Sequence, residues 1–169
     1  MRIDQVVNYW WNKLKWGTPS ESDVVNSIQS KMIDLIQKQG VLLPGVLDSL
    51  NLLKENNIPI ALASSSAMIL INAVIDTLKI KSYFNVIHSA ENEPAGKPDP
   101  SVFLSTAKSL NKKPSKCLVL EDSKAGMEAG LNAGMRTIVI PESGINPKWC
   151  SKAHKKLDSM NEFGLDLLN

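Results

Sequence analysis

From residue 43 onwards the sequence alternates short apolar runs with stretches of helical length, and this alternation restricts the fold more than any other feature. Short strands rich in β-branched residues, separated by helices, are typical of a parallel sheet covered by helices on both faces. The predicted class is therefore α/β. The four predicted strands are Ile58–Ala63, Asn85–Ser89, Cys117–Glu121 and Thr137–Pro141. The helices expected among them lie near Val46–Asn56, Met68–Leu78, Pro100–Leu110 and Lys124–Ala133.

The first 42 residues differ from the rest because they show helical spacing without any strand-like run. Two amphipathic helices are predicted here, and Thr18–Pro19 or alternatively Ser20 should begin the second. The turn at Leu42–Gly45 is the best boundary in the chain. Residues 1–42 are thus predicted to form a small helical part, and residues 43–169 the α/β domain.

Composition excludes several classes of protein. The formal net charge is +2, with 19 basic and 17 acidic residues, so nucleic acid is not an expected partner and the basic stretch Lys152–Lys156 is expected to be solvated. No apolar run approaches the ~20 residues that cross a bilayer. Cys117 and Cys150 are far apart and show no metal-ligand spacing. A cytoplasmic protein without structural zinc or disulfides is expected.

Polar side chains follow two of the predicted strands at the point where each strand ends. Ser64–Ser66 follow the first, Glu121 ends the third and Asp122 follows it, and Lys97 lies between these segments on a loop with two prolines. In open parallel sheets ligands bind beyond the carboxyl ends of the strands. Hydroxyls, a cation and carboxylates are what a phosphate monoester and a divalent metal require. Taken singly, each also has an ordinary role: loop or helix cap, surface lysine, solvated carboxylates.

Three segments carry a specific resemblance. LASSS, GKPDPSVF and LVLEDSKAGMEAGLNAG resemble the second, third and fourth motifs of the haloacid dehalogenase superfamily, in the usual order. The likeness is to the β-phosphoglucomutase and 2-deoxyglucose-6-phosphate phosphatase branch. It covers nearly the whole chain, and it implies a Rossmann-like parallel sheet flanked by helices, with a partial helical cap at the N-terminus.

The resemblance also implies roles for individual residues. Ser64 is expected to bind the transferring phosphoryl group through its hydroxyl, helped by the backbone N–H of Ser65. Lys97 is expected to neutralise phosphate charge and to steady the attacking carboxylate. Asp122 is the expected Mg²⁺ ligand, with Glu121 beside it directly or through water. The implied reaction is Mg²⁺-dependent hydrolysis of a small phosphorylated metabolite, such as a sugar phosphate.

One family motif is absent from the sequence. The superfamily carries its attacking aspartate in an Asp-x-Asp motif after a first apolar strand, and no Asp-x-Asp occurs here. That strand lies centrally in the family, between the strands that end at Ser64 and Glu121, so we expect two exposed edges or a direct pairing of those strands. The chain is therefore expected to be incomplete and inactive alone. The alternatives are a non-catalytic domain that binds phosphate or a partner, and a phosphomutase rather than a phosphatase.

Overall fold

The computed structural model describes residues 2–168 and contains short parallel strands alternating with helices, which confirms the predicted α/β class. The α-helices are α1 (Ile3–Leu14), α2 (Glu21–Gln39), α3 (Val46–Glu55), α4 (Met68–Thr77), α5 (Ser101–Ser109) and α6 (Lys124–Asn132). The strands are β1 (Ala61–Ser64), β2 (Val86–Ser89), β3 (Leu118–Glu121), β4 (Arg136–Val139) and β5 (Lys155–Lys156). Short 3₁₀ turns, including Ala90–Asn92, join several of them.

The strands form two separate parallel sheets, β1-β2 and β3-β4-β5. Leu62 lies opposite Ile87 in the first sheet, and Leu120 lies opposite Ile138 in the second. Within residues 2–168, β1 and β3 do not pair with each other, and neither has a second strand on its other edge. The sequence analysis expected either a direct pairing of β1 with β3 or two exposed edges. Direct pairing does not occur among these residues.

Four apolar clusters hold these layers together. Helices α3 and α4 cover one face of β1-β2 through Leu50, Ile71 and Ile75, while Phe103 of α5 packs in the cluster that contains Val119 of β3. The α5 and α6 cluster also touches the end of β1 and therefore joins the two sheets. The remaining clusters pack β3 and β4 against α6 and the C-terminal turns.

Two element boundaries differ from the sequence-based expectation for local reasons. The first strand was predicted to begin at Ile58, but the N–H of Ile58 closes helix α3 by donating to Leu53 O, and the N–H of Ile60 donates to the side chain of Asn85. Strand pairing therefore starts only at Ala61. The second helix begins at Glu21, because the Ser20 hydroxyl accepts the N–H of Asp23, so the alternative start at Ser20 is the one that the structure shows.

The fifth strand was not predicted. Lys155–Lys156 belongs to the basic stretch that was expected to be solvated, yet it pairs with Ile138–Val139 of β4. Its partners are main-chain groups, since Leu157 N–H donates to Val139 O at 2.9 Å. Lys155 is exposed and Lys156 is half-buried against Asp158, so part of the stretch does remain in solvent.

The N-terminal helices pack less tightly than the rest. Both helices lie wholly within the described residues. Val7 is the one buried side chain of α1, and no side chain of α2 is buried. Helix α2 packs against α1 and α4. Apolar side chains such as Trp10, Leu14 and Leu35 remain 44%, 62% and 53% exposed. No helix between residues 2 and 168 has both the length and the apolar character that crossing a membrane requires.

Candidate functional site

The serines predicted to bind phosphate lie at the carboxyl end of β1. Ser64 is the last residue of that strand, and Ser65 and Ser66 turn away from it before α4 begins. The Ser64 hydroxyl accepts the N–H of Ser66 at 3.1 Å, which fixes the direction of the turn. A serine hydroxyl that accepts one hydrogen bond still has its own proton to donate. The Ser64 hydroxyl therefore stays able to bind a phosphate oxygen.

Lys97 connects this serine turn to the second sheet. Its backbone N–H donates to Ser65 Oγ at 3.2 Å, and its ammonium group donates to Ala63 O at 3.0 Å. The ammonium also forms an ion pair with the Glu121 carboxylate at the end of β3. Both side chains are nearly buried, with 11% of Lys97 and 9% of Glu121 exposed. The lysine thus lies between the unpaired edges of β1 and β3, where the two sheets come together.

The structure brings Lys97 next to Ser65 and Glu121 but does not join it to Ser64. No hydrogen bond links the Ser64 hydroxyl to Lys97 among the residues that the structure describes. Ser64 and Lys97 nevertheless lie at the same edge of the β1-β2 sheet, because the lysine ammonium binds the carbonyl of Ala63, the residue before Ser64. The ammonium also makes a cation–π contact with the Phe103 ring, with 4.6 Å between the nitrogen and the ring centre.

Glu121 and Asp122 have different surroundings although they are adjacent. The Glu121 carboxylate binds Lys97 and accepts the hydroxyl of Ser123 at 3.2 Å. Ser123 in turn accepts the N–H of Gly126 at 3.0 Å and so caps α6. Asp122 is exposed, and no described residue pairs with it. Asp122 is consequently the carboxylate free to meet a cation, whereas Glu121 is occupied by Lys97.

A metal site built only from protein ligands is not present in the described part of the chain. No group of three or more His, Cys, Asp or Glu side chains converges between residues 2 and 168. Mg²⁺ is commonly held by one or two carboxylates together with waters and substrate phosphate oxygens. A single exposed Asp122 at the carboxyl edge of the sheet fits that partial role.

Polar residues after β2 also reach this site, and the sequence analysis missed them. Ser89 donates its hydroxyl to Ser66 O at 2.6 Å, and the Glu91 carboxylate accepts the N–H of Met68 at the start of α4. The rule that found the ends of β1 and β3 would have found these residues, since β2 also runs into polar side chains. The contacts of Arg2, whose guanidinium donates to three main-chain carbonyls of residues 90–93, have no signal in the sequence.

The segment between β2 and Lys97 is also held by a His–Glu pair. His88 Nε2 lies 2.7 Å from the Glu93 carboxylate, whose side chain is 12% exposed. Hydrogen bonds from Ser105 and His88 hold the pKa of the Glu93 carboxyl below its ordinary value. The Glu93 carboxylate is therefore ionised under all but acidic conditions. Its contacts with Ser105 and His88 stabilise the loop that leads to Lys97.

This arrangement places a nearly buried cation, several hydroxyls and an exposed carboxylate at one edge of the parallel strands. Oriented donors and a cation in such a position are suited to an anionic phosphate ester. The edge itself is the usual ligand-binding side of open α/β sheets.

Comparisons with known proteins find relatives that cover nearly the whole chain. The profile of the haloacid dehalogenase-like hydrolase family matches residues 6–134. Hexitol phosphatase B of Escherichia coli O157:H7 is 37% identical over 165 residues, covering 96% of this chain and 74% of that protein. β-Phosphoglucomutase of Bacillus subtilis is 42% identical over 101 residues, covering 59% of this chain and 43% of that protein.

Solved structures give the same assignment. The crystal structure of β-phosphoglucomutase from Clostridium difficile superposes with a TM-score of 0.82 at 28% identity, covering 98% of this chain and 73% of that one. The family profile spans well over half of the chain, and the similarity to hexitol phosphatase B spans nearly all of it. The chain therefore belongs to the haloacid dehalogenase-like hydrolase family, in its β-phosphoglucomutase-like branch.

Proposed function

We propose that this chain is the greater part of a Mg²⁺-dependent hydrolase that acts on a small phosphorylated metabolite, most simply a hexitol or hexose phosphate. The observation that carries the proposal is the position of Lys97, which binds the end of β1, the Ser65 hydroxyl and Glu121 at one edge of the sheets. The chain is similar over nearly its whole length to hexitol phosphatase B, and the name of that relative supports a sugar phosphate as the substrate class.

Each residue of the site has a definite task in this proposal. The Lys97 ammonium neutralises charge on the phosphoryl oxygens, and the Ser64 hydroxyl donates a hydrogen bond to one of them. Ser65 contributes its backbone N–H, and its hydroxyl holds the main chain of the lysine. Hydrogen bonds between charged groups and phosphate are stronger than neutral ones, so a fixed lysine contributes most where the phosphoryl charge is greatest.

The proposed metal ligand is Asp122, because its carboxylate is exposed and has no partner among residues 2–168. Bound Mg²⁺ would supply positive charge beside the phosphoryl oxygens. Glu121 would join the ligand set, directly or through water, through the carboxylate oxygen that does not bind Lys97. The affinity of this chain alone for Mg²⁺ is accordingly expected to be low.

The attacking group is not among the residues of this sequence. In the proposed reaction a carboxylate forms an aspartyl-phosphate, and no Asp-x-Asp motif occurs in the 169 residues. We propose that a further segment with a strand and this motif supplies it, and that the chain by itself is inactive. The match to two β-phosphoglucomutases favours a phosphomutase as the second candidate. A non-catalytic phosphate-binding domain is the third.

The test compares the purified chain with the same chain extended at its N-terminus by a strand that ends in Asp-x-Asp. Phosphate release is followed with Mg²⁺ and a panel of hexitol and hexose phosphates. Loss of a covalent nucleophile costs on the order of a millionfold in turnover, so only the extended protein should be active. Conversion between sugar phosphates without phosphate release would indicate the mutase. Robust turnover by the unextended chain, lost in Asp122→Asn, would show that another residue attacks phosphorus.

A further inference from the structure

Ser89 is a buried polar residue that belongs to none of the three motif segments. It ends β2 and lies directly opposite Ser64 in the parallel ladder of β1 and β2. Only 4% of the residue is exposed. Its hydroxyl donates to Ser66 O at 2.6 Å and accepts the N–H of Glu91 at 3.1 Å. One buried hydroxyl therefore joins the turn after β1 to the turn after β2.

The turn after β1 depends on such contacts because it has no regular secondary structure. Among residues 2–168, three side-chain hydrogen bonds tie this turn and the start of α4 to neighbouring segments. These are Ser65 to the lysine loop, Ser66 to Ser89, and the N–H of Met68 to the carboxylate of Glu91. Of these three contacts, the one from Ser89 is made by a buried side chain and is directed at the main chain of the serines. It fixes the direction of the Ser66 carbonyl, and with it the plane of the peptide that links Ser66 to Ala67.

We propose that Ser89 is a positioning residue for the phosphate site, an inference that rests on the function proposed above. Ser89 acts through Ser66: its hydroxyl holds the serine turn so that the donors of Ser64 and Ser65 face the phosphoryl group. Donors that are already oriented bind an anion without the cost of reorganisation. Ser89→Ala leaves the Ser66 carbonyl and the Glu91 N–H without their partner, so the turn becomes free to rotate.

The chain offers a matched control in Ser49. It is 5% exposed, and its hydroxyl donates to the main-chain carbonyl of Gly45 at 2.7 Å, with a longer contact of 3.3 Å to Met160 O. Ser49 lies in α3, outside the candidate site. Ser49→Ala and Ser89→Ala thus both remove a buried hydroxyl that donates to a main-chain carbonyl, and Ser89→Ala also leaves the Glu91 N–H without its acceptor. Both variants should lower the melting temperature.

The experiment measures the affinity for inorganic phosphate by calorimetry in the wild-type chain and in Ser89→Ala, Ser49→Ala and Lys97→Ala. Ser89→Ala is expected to weaken phosphate binding about tenfold, the value of one net hydrogen bond. Ser49→Ala should keep wild-type affinity although its melting temperature also falls. If Ser89→Ala does not fold, Ser89→Cys replaces it, since a thiol is a weak donor and a loss of the same sign is expected.

The outcomes separate this inference from the function on which it rests. If Lys97→Ala loses phosphate binding while Ser89→Ala or Ser89→Cys binds as the wild type does, the role of Ser89 is refuted and the site stands. Equal losses in the Ser89 and Ser49 variants would show that Ser89 is only structural. A wild-type chain without measurable phosphate binding, or a Lys97→Ala variant that binds normally, would overturn the proposed site together with the inference.

Discussion

Gly126 determines how closely the Glu121 side chain can approach helix α6. Replacing it by alanine should have two opposite effects on the free energy of unfolding, each of known size. The glycine is buried in the first turn of α6, and a Cβ placed there would overlap the Glu121 carboxylate. Glycine to alanine inside a helix normally stabilises by about 0.5–1 kcal/mol. Displacing one partner of a buried ion pair costs about 3–5 kcal/mol. Since the Lys97–Glu121 pair is nearly buried, the second effect should win, and Gly126→Ala should destabilise by about 2–4 kcal/mol.

The assay is urea unfolding of four proteins: wild type, Gly126→Ala, Glu121→Ala and the double variant. When Glu121 is alanine, the new methyl group has no carboxylate to displace. In that background Gly126→Ala should stabilise by about 0.5–1 kcal/mol, as in an ordinary helix. The predicted sign change is a coupling between contacting residues, which a double-mutant cycle isolates.

The result that would refute this reasoning is a Gly126→Ala effect of the same size in both backgrounds. It would mean that the methyl group strains something other than Glu121. A neutral single variant would instead mean that the carboxylate moves aside and keeps its lysine, so that the close approach to α6 is not required for the ion pair.

Three further predictions concern metal binding, acid stability and helix capping. Asp122→Asn should abolish the weak Mg²⁺ binding expected of the wild-type chain in calorimetry, and tight or unchanged binding would contradict the proposed ligand. The pKa of Glu93 is lowered in the folded chain by Ser105 and His88, so its stabilisation is present above about pH 4.5 and disappears as the pH falls through the lowered value. Glu93→Gln should therefore flatten the acid limb of a stability–pH profile, and an unchanged limb would refute this role. Ser20→Ala should cost about 1 kcal/mol in thermal unfolding because the hydroxyl caps α2, and no loss would indicate that the cap is dispensable.

The order and type of the elements could be predicted because they depend on neighbours along the chain. Residues such as Ile138 and Val119, fully or nearly buried in the structure, already stood in short β-branched runs. Strand ends were less predictable. The start of β1 was missed because the N–H groups of Ile58 and Ile60 bond outside the ladder, to Leu53 and to the side chain of Asn85.

Part of the candidate site could be predicted from the sequence, because one rule of sheet geometry says where the ends of parallel strands lie. Parallel strands end at a common edge, so Ser64 and Glu121 were expected near each other, and the structure places the Lys97 loop between their strands. The same rule was not applied to β2, which is why Ser89 was overlooked. Strand β5 was overlooked because two lysines carry no strand pattern.

The sequence by itself determined the alternating pattern, the family motifs and the chemical types at the ends of β1 and β3. Those features are local, since a period of two or of 3.6 residues and the residue that follows a strand can be read within a few positions. Tertiary structure alone decided which partner each polar group takes. Glu121 binds Lys97 while its neighbour Asp122 stays exposed, although both are carboxylates at adjacent positions. That choice depends on which side chains distant parts of the chain bring within hydrogen-bonding distance, because a buried charge is stable only where such a partner is present.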